Sequence, residues 1–388
     1  MSILIYIPYS TNIGYAISPL ESTFYQMAKN IFTHDNKIHF LYKDVSGGTP
    51  KSLPDSFSNI ISLNDQQFPA RIHSVCNYIQ KNSIKTLFGL DLTVRHLFYK
   101  PFRSAGLKKI IAYWGAPMSD ISSFSKLLLK KIEVSLNRYK PDHFIFESNI
   151  MARFAISGRG IPASRVSVVN LGVDTARFSP SADKSFAYST FKIPSERQII
   201  FYSGHMEERK GVHILLKAAS TLVNHYHRND VHFLIAGNKN GDEARFFPLF
   251  KGTTAEKHIT FAGYRDDIHQ IIPCCYTGVI ASSGWDSFPR SALEMASCGL
   301  PLVVSNLHGL PETIENNITG FLFNTADHLD LCAKIMKLLD KQSLQKSMSY
   351  AARTRMLQKF TFQHQIDKLT GIVNTLINER KSTPECLC

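Results

Sequence analysis

Short apolar runs alternate with segments of helical periodicity along both halves of this chain, and this alternation constrains the fold more strongly than any other feature of the sequence. Continuous apolar runs are typical of strands buried on both faces of a parallel sheet, with helices connecting one strand to the next. The predicted strands of the first half are Ile3–Pro8, Ile38–Tyr42, Ile60–Leu63, Ile84–Phe88, Ile110–Trp114 and His143–Phe146. Those of the second half are Gln198–Tyr202, Val231–Ala236, Ile259–Phe261, Thr277–Ala281 and Leu302–Val304. The pattern therefore predicts an α/β fold with two doubly wound parallel sheets.

The length of the chain indicates two domains, because 388 residues exceed the roughly 100–200 residues of a usual domain. A polar stretch between Pro180 and Arg197, rich in serine and lysine, marks the region where they join. We place an N-terminal domain at 1–176 and a C-terminal domain at 177–360, and we expect a helix at 361–380 to pack back on the first domain. The other predicted helices are Leu20–Phe32, Phe68–Lys81, Ser122–Tyr139, Val212–His225, Asp327–Asp340 and Leu344–Phe360.

Basic residues are concentrated in the first half. The net charge of the chain is +13, and residues 1–176 contain 20 Lys and Arg against 11 Asp and Glu. The predicted helix Ser122–Tyr139 is basic but has one apolar face, formed by Leu127, Leu128, Ile132 and Leu136. Two interpretations remain open: this region contacts an anionic membrane, or it is a solvated surface whose leucine face packs on the sheet. Basic and aromatic residues do not interleave as in nucleic-acid-binding motifs, so we expect no nucleic-acid partner.

Several features indicate a cytoplasmic protein. No apolar run approaches the ~20 residues that cross a bilayer, and the first residues lack the pattern of a signal peptide. The seven cysteines are scattered and are expected to be free thiols. Membrane association, if present, is expected on the cytoplasmic face. The sequence shows no metal-ligand constellation, and we expect the acidic pair Asp266 and Asp267 to cap a helix beginning at Ile268.

The segment from Ser282 to Pro301 carries the clearest chemical signal. Pro289 suits the first turn of a helix, and Gly299 suits its C-terminal cap. Asp286 then lies in the loop before this helix, and Glu294 lies within it. Free N–H groups at a helix start bind anions, and the helix dipole strengthens that binding. We interpret the segment as a diphosphate site whose two carboxylates accept hydrogen bonds from sugar hydroxyls.

The order of the motifs resembles that of the retaining glycosyltransferases of family 4, the glycosyl transferases group 1. Residues 170–180 resemble the interdomain signature of that family, and Gly204–Gly211 resembles its phosphate loop. The block Asp286–Glu294 resembles its Glu-x7-Glu motif, and residues 310–322 match the segment that follows. The resemblance implies the GT-B fold, with two Rossmann-like doubly wound domains facing a cleft. The second domain would bind most of the nucleotide-sugar donor, and the first would bind the acceptor.

The resemblance also implies roles for individual residues. Arg209 and Lys210 would neutralise the diphosphate as the glycosidic bond breaks, and Asp286 would bind the transferred sugar. Glu294 would accept hydrogen bonds from the ribose. These three cationic and acidic side chains, Asp286, Arg209 and Lys210, are the candidate catalytic groups. The remaining donor-site candidates are Gly14, Gly204, His205, Tyr264, Arg265, Ser287, Phe288, Pro289, Arg290 and Ser291, and the acceptor-side candidates are Trp114 and Gly115.

The chain departs from the family pattern at a few positions. His205 stands where the family usually has Arg, and Asp286 is one methylene shorter than the usual Glu. His308-Gly309 replaces a frequent Gly-Gly pair, and Trp114-Gly115 occupies the place of a frequent acceptor-side His. Because cations and helix N–H groups can replace a divalent ion at a diphosphate, we expect a metal-independent site with no cofactor besides the donor.

The resemblance therefore implies a retaining hexosyltransferase that uses a UDP- or GDP-sugar and a glycan or lipid-linked acceptor. A role in bacterial cell-surface polysaccharide or lipopolysaccharide synthesis agrees with the basic first half. Two alternatives stay open: a nucleotide-sugar epimerase or phosphorylase with the same architecture, and a degenerate transferase that acts as a non-catalytic partner subunit.

Overall fold

The computed structural model describes residues 1–63, 70–115 and 123–379, which fold into two compact units. The first unit contains residues 1–169 and the chain from Gln363 onward, and the second contains Asn170–Phe362. The predicted helix starts at Phe68 and Ser122, and the C-terminal tail from Lys381, lie outside the described residues. Residues 170–176, predicted in the first domain, group with the second unit. No helix among the described residues is both long and apolar enough to cross a bilayer.

The first unit is built on a seven-stranded sheet with strand order β3-β2-β1-β4-β5-β6-β7, and every neighbouring pair is parallel. Its strands are β1 (Ser2–Ile7), β2 (Ile38–Tyr42), β3 (Ile60–Ser62), β4 (Ile84–Leu90), β5 (Lys109–Trp114), β6 (His143–Phe146) and β7 (Val166–Val168). Its helices are α1 (Gly14–Ile31), α2 (Ala70–Lys81), α3 (Tyr99–Ser104), α4 (Phe124–Leu136), α5 (Asn149–Arg153) and, after the second unit, α12 (Phe362–Asn378). Edge-to-face contacts of Phe24 with Phe88 and Tyr113, at centroid distances of 4.8 and 5.1 Å, fix α1 against the centre of this sheet.

Helix α1 begins earlier than the sequence predicts. The sequence predicts this helix from Leu20, but it starts at Gly14 and contains Pro19. Proline lacks a backbone N–H and usually ends a helix. Here the helix continues past Pro19, and the Thr23 hydroxyl one turn later donates a hydrogen bond of 2.8 Å to the Pro19 carbonyl. Gly14 has φ +66°, a left-handed conformation that glycine adopts without strain, and it turns the chain from β1 into the helix.

The second unit is built on a six-stranded parallel sheet with strand order β10-β9-β8-β11-β12-β13. Its strands are β8 (Gln198–Ser203), β9 (Val231–Ala236), β10 (Ile259–Gly263), β11 (Thr277–Ile280), β12 (Leu302–Ser305) and β13 (Gly320–Phe323). Its helices are α6 (Ser185–Phe191), α7 (Val212–Ser220), α8 (Ile268–Ile271), α9 (Arg290–Ser297), α10 (His328–Leu339) and α11 (Gln342–Lys359). Helix α6 lies inside the polar stretch that was predicted to join two domains. It packs within the second unit through Ala187, which is buried and whose N–H donates to the Cys274 sulfur at 3.5 Å.

The close pairing of β12 with β13 leaves no room for a side chain at Gly320. A Cβ built on Gly320 would lie 2.1 Å from the carbonyl oxygen of Leu302, and a backbone atom in a buried sheet cannot move aside easily. We therefore expect Gly320→Ala to lower the free energy of unfolding by about 2–3 kcal/mol. Urea unfolding followed by circular dichroism measures this change.

The matched control is Gly371→Ala on the exposed side of α12. A Cβ at Gly371 meets nothing within 4 Å, so alanine adds only helix propensity, worth up to about 1 kcal/mol. Equal unfolding midpoints for the wild type and Gly320→Ala would contradict the pairing of these two strands.

Candidate functional site

Two loops meet at the carboxyl edge of the second sheet. The loop 204–211 follows β8 and the loop 281–289 follows β11, and these strands are parallel neighbours. The carbonyl oxygen of Arg209 accepts hydrogen bonds from the N–H groups of Ser283, at 2.8 Å, and Gly284, at 3.0 Å. The guanidinium of Arg209 donates to the carbonyl oxygen of Trp285 at 2.7 Å. The two loops therefore form one connected edge, as is typical of ligand sites in open parallel sheets.

A partly buried ion pair lies at the centre of this edge. The Lys210 ammonium donates to Asp286 Oδ2 at 2.7 Å, and these side chains are only 17% and 10% exposed. The Ser282 hydroxyl donates to the same oxygen at 2.8 Å. These two donors fix the orientation of the Asp286 carboxylate, and a charged pair held away from water interacts more strongly than a pair on an open surface.

Glycine allows the two loops to approach this closely. Gly211 has φ +71°, and a Cβ built on it would lie 1.8 Å from the carbonyl oxygen of Ala281. A Cβ on Gly284 would lie 2.5 Å from Cβ of Arg209. A side chain at either position would push the lysine and the aspartate apart.

Helix α9 starts directly after this loop and presents its first N–H groups toward it. Pro289 occupies the N-cap position rather than the first turn, a correction of one residue, and no side chain caps the helix start. The helix ends as predicted: Gly299 has φ +80°, and the Leu300 N–H bonds the Met295 carbonyl at 3.0 Å. Free N–H groups at a helix start attract anions. With α9 beginning at Arg290, Asp286 lies in the loop before the helix, and Glu294 lies inside the helix, where it is buried.

Other predicted donor-site residues have separate contacts within the second unit. Ser287 and Phe288 are buried, and the Phe288 ring contacts Phe360 at a centroid distance of 5.6 Å. The Arg290 guanidinium donates to the Gly172 carbonyl at 3.2 Å, and Ser291 is half-buried.

The ends of β8 and β10 carry the remaining donor-site candidates. The Tyr202 hydroxyl donates to the His205 carbonyl at 3.0 Å, whereas the His205 imidazole is exposed beside Gly204. A Cβ on Gly204 would lie 2.8 Å from that tyrosine hydroxyl, so a larger residue here would have to displace the hydroxyl. Tyr264 is exposed, and the Lys239 ammonium lies 3.9 Å from the centroid of its ring. Lys239 was not predicted as a site residue, because an isolated lysine after a strand carries no sequence signal.

The predicted cap of helix α8 is wrong. Asp267 does occupy the N-cap position, but its side chain makes no cap hydrogen bond. Its carboxylate instead accepts a hydrogen bond of 2.8 Å from Nε of Arg265, and this hydrogen bond keeps the pKa of Asp267 below its usual value. A cation two residues away therefore competes with the helix N–H groups for the carboxylate.

His308 has the left-handed backbone conformation that a glycine would adopt more easily at this place. Its φ is +47°, in the left-handed region that glycine favours, and the resembled family often has glycine at this place. The His308 ring contacts Trp285 at a centroid distance of 4.7 Å, with the two ring planes tilted by 41°. Burial lowers the pKa of His308, and the nearby Asp286 carboxylate opposes that shift. The Trp285 and His308 rings form an aromatic wall beside the ion pair that the sequence did not predict.

Three predicted residues belong to the first unit. Gly14 starts α1, and Trp114 ends β5 and lines a cavity of about 310 Å³. The Gly115 N–H donates to Asp91 Oδ1 at 2.9 Å, and a Cβ on Gly115 would lie 2.8 Å from Oε1 of Glu147. Asp91 and Glu147 follow β4 and β6, the neighbours of β5, so two carboxylates lie at the carboxyl edge of this sheet. Neither Asp91 nor Glu147 was predicted as a site residue, although an acidic residue directly after an apolar run is a signal that the sequence shows.

The described residues contain no group of three or more His, Cys, Asp or Glu side chains that could hold a metal ion.

One family of known proteins and several individual relatives are similar to this chain. Residues 184–355, which contain both loops and α9, match the family described as "Glycosyl transferases group 1". A D-inositol 3-phosphate glycosyltransferase of Mycolicibacterium smegmatis is 26% identical over 251 residues, which are 62% of this chain and 54% of that protein. A UDP-Gal:alpha-D-GlcNAc-diphosphoundecaprenol alpha-1,3-galactosyltransferase of Escherichia coli is 24% identical over 217 residues, 55% of this chain and 56% of that protein. The chain thus spans about half the length of the curated relatives it matches.

Solved structures resemble the whole chain. A glycosyltransferase from Rickettsia africae ESF-5 has a TM-score of 0.80 and 20% identity, over 98% of this chain and 99% of that one. Anabaena HepE in complex with UDP has a TM-score of 0.77 and 17% identity, over 97% of this chain and 100% of that one. The predicted fold of two Rossmann-like parallel-sheet domains is confirmed, and its structural neighbours are GT-B glycosyltransferases. The residues that match the glycosyl transferases group 1 family form most of the second unit.

The Lys210–Asp286 pair predicts strong coupling between the two side chains. Removing one partner leaves the other charge partly buried without its counterion, so we expect Lys210→Ala and Asp286→Ala each to lower the free energy of unfolding by about 3 kcal/mol. The double variant should lose less than the sum of the two single variants, with a coupling energy of about 1–3 kcal/mol. A double-mutant cycle measured by urea unfolding tests this.

The control cycle uses Asp330 and Lys334, a half-buried pair one turn apart on α10 that is more exposed than Lys210 and Asp286 and whose charged atoms are 3.3 Å apart. Its coupling energy should be about 0.5 kcal/mol or less. Additive losses at positions 210 and 286 would mean that the buried ion pair does not exist in solution.

Proposed function

We propose that this protein is a retaining glycosyltransferase that moves a hexose-type sugar from a UDP- or GDP-sugar to a glycan or lipid-linked acceptor. The observation that supports this most is the arrangement of Lys210, Arg209 and the start of α9 around one loop at the carboxyl edge of the second sheet. Two cations and a helix N-terminus at one place suit a diphosphate better than any neutral ligand. The group 1 glycosyl transferase match over residues 184–355 covers this arrangement.

The proposed chemistry follows from where charge develops. As the bond between the sugar and the diphosphate breaks, negative charge grows on the leaving phosphate, and fixed donors that stabilise this charge lower the barrier. Arg209, Lys210 and the N–H groups of Ser287, Phe288, Arg290 and Ser291 would supply these donors. The acceptor hydroxyl would attack the face from which the phosphate departs, and a phosphate oxygen would take its proton, which retains the anomeric configuration. With these cations in place, we propose that no divalent metal is needed.

The two acidic residues of the loop and helix would hold the sugars. We propose that Glu294, buried within α9, accepts hydrogen bonds from the ribose hydroxyls. Asp286 would accept hydrogen bonds from the transferred sugar through its second oxygen while Oδ2 stays with Lys210 and Ser282. Tyr264 and Gly204 would flank the base and the phosphates. The aromatic wall of Trp285 and His308 lies beside Asp286 and would help to select the sugar.

The names of similar proteins support the substrate classes. One structural neighbour was solved with UDP and another structure of the same protein with UDP-glucose. The Escherichia coli relative is named for a UDP-sugar donor and a diphosphoundecaprenol acceptor, and a neighbour with a TM-score of 0.67 is described as involved in lipopolysaccharide biosynthesis. We therefore propose a role in bacterial cell-surface polysaccharide or lipopolysaccharide synthesis at the cytoplasmic face of the membrane. Trp114 and Gly115, with Asp91 and Glu147 beside them, would contribute to the acceptor site.

The donor site predicts a specific pattern of nucleotide binding and turnover. A thermal-shift screen against UDP, GDP and their sugars should raise the melting temperature with one nucleotide family, because a ligand that binds only the folded state stabilises it. With the donor found in this way, Lys210→Ala should lower turnover by about 10²–10³-fold, and Glu294→Ala should weaken donor binding. Release of the nucleoside diphosphate measures the turnover.

The control is Lys217→Ala, which removes one exposed positive charge from α7 and should keep full activity. Circular dichroism verifies that each variant is folded. Full-rate turnover by folded Lys210→Ala and Glu294→Ala would contradict the proposal. Donor binding without transfer to any acceptor would instead support a non-catalytic subunit, and a change of the donor sugar without acceptor would support an epimerase.

A further inference from the structure

Helix α4 in the first unit turns its apolar face outward. Val134 is the one buried residue of this fully described helix. Five large apolar side chains on it are exposed by 46–80% of their area: Phe124, Leu128, Leu129, Ile132 and Leu136. At about 100° per residue, these five positions fall within one arc of about 140° on the helix surface. Of the two interpretations that the sequence left open, packing of this leucine face on the sheet is therefore wrong.

Polar contacts attach α4 to the rest of its unit. Glu133 forms an ion pair of 3.0 Å with Arg95, which lies outside the helix. The Asn137 side chain after the helix donates to the Val94 carbonyl at 2.8 Å. Gly160 lies so close that a Cβ on it would be 2.9 Å from Cα of Lys131. The helix is therefore held by its polar side, and its apolar arc stays free of contacts with the sheet.

Positive charge surrounds the apolar arc. Residues 123–138 contain four basic side chains and one acidic one, a net charge of +3. Lys131 borders one edge of the arc and Lys126 lies beyond the other, and both are exposed. On the polar side, the 310 Å³ cavity is lined by Arg95, Lys130 and Arg159 against the single carboxylate of Glu133.

We infer that the outward face of α4, defined as Phe124, Leu128, Leu129, Ile132 and Leu136, docks this protein on an anionic lipid bilayer. The apolar side chains enter the headgroup boundary, and Lys126 and Lys131 bind lipid phosphates. An apolar arc bordered by lysines on an exposed helix is the arrangement that binds the surface of an anionic membrane in its plane.

A second copy of the same chain fits this face less well. The helix is only about 20 Å long, so its arc offers on the order of 200–300 Å², whereas a stable dimer needs about 800 Å² from each partner. A symmetric contact would also bring the lysine borders of both copies together, and like charges repel. Anionic lipid satisfies both the apolar arc and its borders.

Vesicle co-sedimentation of the full chain tests this inference. Wild-type protein should bind vesicles that contain phosphatidylglycerol, bind pure phosphatidylcholine vesicles much less, and dissociate as the salt concentration rises. Leu128→Ser/Leu129→Ser/Ile132→Ser should reduce binding to the anionic vesicles to the level that the wild type shows with pure phosphatidylcholine vesicles. Lys126→Ser/Lys131→Ser should weaken binding to the anionic vesicles roughly fivefold for each charge removed.

Matched controls come from α11 in the second unit. Tyr350→Ser/Leu357→Ser removes two exposed apolar side chains, and Lys341→Ser/Lys346→Ser removes two exposed charges, one just before and one within that helix. Both controls should bind vesicles like the wild type. All substituted positions are exposed, so circular dichroism should show each variant folded.

The inference is overturned if the wild type does not bind anionic vesicles, or if the α4 variants bind them as the wild type does. It is also overturned if the wild type is a dimer that the triple α4 variant converts to a monomer, because the face would then be covered by a second copy. This test is independent of the donor site: nucleotide-induced thermal shifts should be equal in all these variants and the wild type. A lost shift with normal vesicle binding would contradict the proposed function alone.

Discussion

The candidate site depends on the close approach of two loops that follow neighbouring parallel strands. Gly211 and Gly284 allow this approach, because any side chain at either position would meet the opposite loop. Backbone hydrogen bonds from Ser283 and Gly284 to Arg209 then hold the loops together. Only in this arrangement can Lys210 reach Asp286 at 2.7 Å while Arg209 reaches the Trp285 carbonyl. The positions of Lys210 and Arg209 are thus fixed by the backbone of the two loops and not by their long side chains alone.

The two units use the same topology for different chemistry. Both carry parallel sheets whose carboxyl edges hold polar residues. The second unit places cations and a helix start there, which suits a phosphorylated ligand. The first unit places Asp91 and Glu147 around Gly115 instead, and carboxylates suit the hydroxyl groups of an acceptor. Helix α4, attached to this unit by its polar side, adds an apolar and basic surface that such an acceptor would meet if it were anchored in lipid.

Periodic and glycine-based features were predictable from the sequence. The buried strands appear as apolar runs, and the ends of α9 follow from the positions of Pro289 and Gly299 to within one residue. Features that depend on contacts between distant residues were not predictable. The Asp267 side chain pairs with Arg265 and leaves α8 without a side-chain cap, and His308 adopts a left-handed backbone while its ring contacts Trp285. The outward turn of α4 was also hidden, because a helical apolar stripe has the same sequence whether it packs on a sheet or faces solvent.

The central claim is that the edge formed by loop 204–211, loop 281–289 and the start of α9 binds a diphosphate. A crystal structure of the protein with bound UDP or GDP tests this most directly. We predict that the phosphate oxygens lie within hydrogen-bond distance of Lys210 or Arg209 and of the first N–H groups of α9, with the ribose hydroxyls at Glu294. A nucleotide that binds elsewhere on the chain, with this edge making no contact to its phosphates, would contradict the account.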